Sequence, residues 1–140
     1  MKIIDTNNAL PDKTKLLNIL KNHPLSNRLE ESIDNLSIID INVLEKKKPT
    51  EAIDYNLKTK NADLFVFGTG SVQQTIKKPN FEYIMYHEFA HIADKLNPQF
   101  EYSEKKDDSL SKKEKEAVMS IWNAFIDSRL KAEKNSLLAT

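Results

Sequence analysis

At 140 residues the chain is expected to form one domain spanning 1–140, long enough to bury a hydrophobic core. Its 39% apolar and 30% charged content suits a globular protein, and its net charge of zero points to neither a nucleic-acid partner nor a basic membrane patch. Cysteine is absent, which excludes disulfides and thiolate metal sites, so any metal would rest on histidine and carboxylate.

The N-terminal residues lack the apolar core of a signal peptide. No apolar run approaches the ~18 residues of a membrane span, so a cytoplasmic location is the expectation. Pro11 and Asp12 start a first helix carrying Leu16, Leu17, Ile19 and Leu20, and Asn22-His23-Pro24 ends it. A short helix is predicted over 27–33. Residues 36–44 are rich in β-branched side chains and partly alternate, which predicts a strand. Lys46-Lys47-Lys48-Pro49 reads as a charged turn, and 52–57 as a second strand or irregular chain. A third strand, 64–67, stops at Gly68. The chain has only two glycines, and Gly68-Thr69-Gly70 reads as a turn rather than a phosphate cradle.

Asn80 caps a helix over 81–96, which Asn97-Pro98 ends. Residues 99–111 read as a polar loop without periodicity. Ser111, with Glu114 three residues on, forms a capping box for a last helix running to about Lys134, and 135–140 is a frayed tail. The fold class is α+β: a short sheet of about three strands packed on a central helix and a C-terminal helix.

The central helix carries His87-Glu88-Phe89-Ala90-His91, with two of the chain's three histidines. Helical spacing puts His87 and His91 one turn apart on one side, where two imidazoles grip one zinc ion. Glu88 stands beside that site as the general base that takes a proton from water. From this composition a chance His-Glu-x-x-His is expected on the order of 0.005 times, so accident is a poor explanation. At ~100° per residue, Phe81, Met85, Phe89, Ile92 and Leu96 share one face, while His87, His91 and Asp94 lie roughly opposite.

A catalytic zinc needs a third protein ligand. His23 sits before a proline far upstream and reads as a surface or capping residue. Asp94 lies ~10 Å along the helix from His87, a distance suited to orienting an imidazole rather than sharing the ion. On the last helix Glu116, Ser120, Asn123 and Asp127 form a narrow polar stripe, with Val118, Ile121, Trp122 and Phe125 on the other side. If that helix packs beside the first, Asp127 is the first choice of ligand and Glu116 the second. Asn123 would hydrogen-bond the site. Tyr83, Tyr86 and Arg129 are candidate oxyanion donors, though packing for the tyrosines and an ion pair for Arg129 are the simpler roles.

Phe81-Glu82-Tyr83-Ile84-Met85-Tyr86-His87-Glu88-Phe89-Ala90-His91-Ile92-Ala93-Asp94 and the later Ile121-Trp122-Asn123-Ala124-Phe125-Ile126-Asp127-Ser128-Arg129-Leu130 resemble the minigluzincins. These are small zinc-peptidase scaffolds similar to stripped-down catalytic domains of larger gluzincin peptidases. The resemblance covers most of 10–133. It implies Zn2+ as cofactor, peptide-bond hydrolysis, and a third ligand supplied by the last helix. Gluzincins usually place a glutamate there; the stretch from Asn123 to Asp127 has none, which again leaves Asp127 or Glu116.

The expected function is therefore a zinc metallopeptidase, with His87, His91 and Asp127 on the metal and Glu88 catalytic. The substrate is an extended peptide or protein that pairs with the free edge of strand 64–67. Two alternatives are a latent zincin, its cleft covered by 99–111 or the tail, and a non-enzymatic helical interaction module.

Overall fold

The computed structural model describes residues 1–41, 52–66 and 81–139. Their elements are β1 (Lys2–Ile4), α1 (Lys13–Lys21), a 3-10 turn (Leu29–Ser32), β2 (Asn35–Asp40), β3 (Ala52–Asn56), β4 (Asn61–Val66), α2 (Phe81–Leu96), a 3-10 turn (Pro98–Phe100), α3 (Glu104–Asp108) and α4 (Lys112–Ala139). The sheet has four strands in the order β1-β2-β4-β3. β1, β2 and β4 run parallel, and β3 is the antiparallel edge. The expectation of about three strands is corrected by β1, whose three residues are too few to show any periodicity.

Each element follows from local chemistry. Asp12 caps α1 by accepting the Lys15 N–H at 3.0 Å, and Leu16, Ile19 and Leu20 turn inward. β2 alternates, with Leu36, Ile38 and Asp40 buried. β4 does the same with Ala62, Leu64 and Val66. The β3–β4 turn is held by Asn56, whose Oδ1 accepts the N–H groups of Lys58 and Thr59. The short helix expected over 27–33 is a single 3-10 turn. The charged turn at 46–49, the Gly68-Thr69-Gly70 turn, the Asn80 cap and Phe67 lie outside the described residues.

α2 has the bounds its pattern predicts. Met85, Phe89 and Ile92 are fully buried in a core shared with Leu16 and Leu20 of α1, Leu36 of β2 and Leu64 of β4. A second cluster joins Ala90 of α2 to Trp122, Ile126 and Leu130 of α4. The side of α4 that packs is thus not the apolar side read from sequence. Trp122 turns inward, but Val118, Ile121 and Phe125 remain exposed.

Three further expectations change. Residues 99–111 are not featureless: Ser103 caps α3 by accepting the Lys106 N–H, in a helix too short to register as periodic. The Ser111–Glu114 capping box forms as predicted, each side chain accepting the other's N–H. The helix it starts runs to Ala139, past the expected end at about Lys134, since no Gly or Pro stops it. His23 is buried, not at the surface: it accepts the Leu25 N–H at 3.1 Å and its Nε2 lies 2.7 Å from the Tyr86 carbonyl of α2. Among the described residues no helix is long and apolar enough to cross a membrane.

Candidate metal centre

α2 and α4 meet along the polar side of α2, and the stripe on α4 divides there. Glu116 and Ser120 lie on an exposed stretch. Asn123 and Asp127, one turn apart, reach the histidines. The Nε2 atoms of His87 and His91 both lie 3.0 Å from Asn123 Oδ1. Asp127 Oδ1 lies 2.8 Å from His87 Nδ1, on the far side of the ring, and also accepts the Tyr83 hydroxyl at 2.7 Å. Asn123, not Asp127, therefore occupies the point where the two Nε2 atoms converge. Among the described residues no three His, Cys, Asp or Glu side chains gather as a metal site.

The electrostatics agree with this geometry. Burial, and then the neighbouring His87, push the His91 imidazole down to about 4, so its ring is neutral at pH 7. Burial opposes the ionisation of Asp127, but hydrogen bonds from Tyr83 and His87, with Lys131 nearby, outweigh it and hold the carboxyl below its ordinary range. Burial and the bond to Asp127 push Tyr83 up to about 12, so it stays a hydroxyl donor committed to Asp127 rather than to a substrate oxyanion.

An ionised carboxylate only accepts, so a proton on His87 Nδ1 faces Asp127. Asn123 Oδ1 is an acceptor too. Atoms held ~2.0–2.1 Å from a tetrahedral zinc stand about 3.3 Å apart, close to the 3.0 Å found here. Those two separations are compatible with a shared zinc ion. The third group beside the two histidines is a neutral amide, where the sequence led to an anionic carboxylate.

Asp94, expected to orient an imidazole, acts one residue further out. It is buried, accepts Trp122 Nε1–H at 2.7 Å, and takes both terminal nitrogens of Arg129 at 2.7 and 2.6 Å. Trp122 then stands edge-on to His91, their ring centroids 4.5 Å apart. Arg129 is thus an ion-pair partner, and Tyr86 packs between the two apolar clusters.

The histidines open onto a cleft of ≈ 380 Å³. One wall is α2, with His87, Glu88, His91 and Lys95; the opposite wall is β3, with Ala52, Ile53 and Asp54. Met119, Trp122 and Asn123 of α4 close it together with Tyr102 and Asp107. The substrate-side strand expected at 64–67 is corrected: β4 lies between β2 and β3, and the edge at the cleft is β3. Lys95 Nζ donates to the Tyr55 carbonyl at 3.1 Å, so the Tyr55 backbone faces outward from the sheet. By the alternation of an antiparallel ladder, the Ile53 backbone faces the same way. Sequence reasoning missed Asp54, Lys95 and Tyr102, which carry no motif and meet only through folding. No family model, no curated protein and no solved structure matches the chain.

Proposed function

We propose that this chain is a zincin-type zinc hydrolase that cleaves peptide bonds, in the manner of the minigluzincins. The observation that carries the reading is the meeting of His87 and His91 Nε2 at one point, on a cleft wall that also bears Glu88 and faces edge strand β3. His87, His91 and the Asn123 carbonyl would hold zinc, which supplies Lewis acidity when bound. Asp127 orients His87 through Nδ1. Glu88 takes the proton of the attacking water and returns it to the leaving amine. The outward backbone of β3 pairs with an extended substrate. The stretch 99–111 forms part of the cleft wall through Tyr102 and Asp107.

A second reading is favoured by the neutral Asn123: a site that binds zinc without turnover. Turned end for end, the Asn123 amide would instead donate one N–H to each imidazole and close the site with no metal. Zinc-supplemented purification followed by metal analysis separates these outcomes. We expect one zinc per chain, cleavage of a quenched fluorescent peptide, and a Glu88→Gln variant that keeps zinc and loses cleavage. Zinc bound by an inactive wild type supports the second reading; no zinc uptake refutes both.

A further inference from the structure

Beside the cleft lies a second space of ≈ 360 Å³, between residues 100–110 and α4. Phe100, Tyr102, Leu110, Ile121, Trp122 and Phe125 are among its walls. Ile121 is 71% exposed and Phe125 48%, on a helix otherwise well supplied with Lys and Glu. Adjacent exposed apolar side chains mark a binding surface. The volume is near the low end of small-ligand pockets, ~300–1,000 Å³, and suits one or two side chains rather than a folded partner.

What identifies the occupant is continuity. Tyr102, Asp107 and Trp122 line both this groove and the histidine cleft. The Trp122 ring is the partition: it stands 4.5 Å from the His91 ring and 5.0 Å from that of Phe100. A chain lying across the histidines is separated from the groove by one aromatic ring. We propose that the groove is a side-chain subsite of the cleft, taking a large apolar or aromatic residue of the bound peptide. This rests on the reading of the cleft as a peptide site.

Trp122 is the only tryptophan, so its emission reports on the groove without turnover. The test uses zinc-loaded Glu88→Gln protein and blocked alanine hexapeptides carrying one phenylalanine at each position in turn. One position is expected to bind about tenfold tighter than the all-alanine parent, because a buried ring leaves water. Ile121→Asp, at an exposed site, should abolish that advantage while leaving the parent's affinity within about twofold. Binding with no preference for phenylalanine overturns the subsite and leaves the hydrolase reading standing. Failure of zinc-loaded protein to bind any of the peptides overturns both. A dimer in sedimentation that Ile121→Asp dissolves assigns the groove to a second copy and overturns the subsite.

Discussion

Asn123 and Asp127 stand four residues apart on α4, so both project toward α2, yet they meet opposite nitrogens of one ring: Asn123 the Nε2 of His87, Asp127 its Nδ1. Their spacing was legible as a polar stripe. Which residue reaches which nitrogen depends on how far α4 is displaced along α2, a quantity no helical wheel contains. If Asp127 orients rather than ligates, Asp127→Asn should lower zinc affinity by about 10–100-fold while the site still forms. Competition with a chromophoric chelator measures this. Complete loss of zinc would return Asp127 to the ligand set.

The contact between α2 and α4 is a small apolar cluster clasped by one carboxylate. Asp94 is 2% exposed and satisfies Trp122 and Arg129 together, and Arg129 also lies 3.9 Å above the Phe125 ring. Asp94→Ala would leave a guanidinium and an indole N–H without their acceptor. We expect a loss of about 3 kcal/mol in urea unfolding, with α4 losing its seat on α2. A change below about 0.5 kcal/mol, the usual range of a surface substitution, would mean the clasp contributes little. The helices themselves were readable because their caps are local: Asp12, Ser111 and Glu114 act within four residues. The exposure of Val118, Ile121 and Phe125 was not, because Ile126 and Leu130 compete with them for the buried side, and the partner surface selects between them.

Across the whole molecule, His23 ties the end of α1 to the backbone of α2 at Tyr86. Burial pushes its imidazole below the ordinary value, against the pull of the Tyr86 carbonyl and of Asp94, while Arg129 adds to the lowering. The native state therefore keeps His23 neutral where the unfolded chain takes up a proton. The stability this provides is complete above the unfolded value of about 6.5 and is lost as the pH falls from there. Unfolding free energy of the metal-free protein should decline below pH 6.5, by up to about 1.4 kcal/mol per pH unit for this one proton. Chemical denaturation at a series of pH values checks the sign; stability unchanged between pH 7.5 and 5 would contradict it.

Local order was written in the residues: capping side chains, proline stops, the alternation of β2 and β4, and the apolar face of α2 that puts His87 and His91 on its other side. These signals act over a few residues, so they survive without knowledge of the fold. The order of strands, the choice of β3 as the edge at the cleft, the burial of His23 and the division of labour between Asn123 and Asp127 join residues 32 to 63 positions apart or link whole elements. Such contacts depend on how packed surfaces fit, and that fit is settled only when sheet and helices close on a common core.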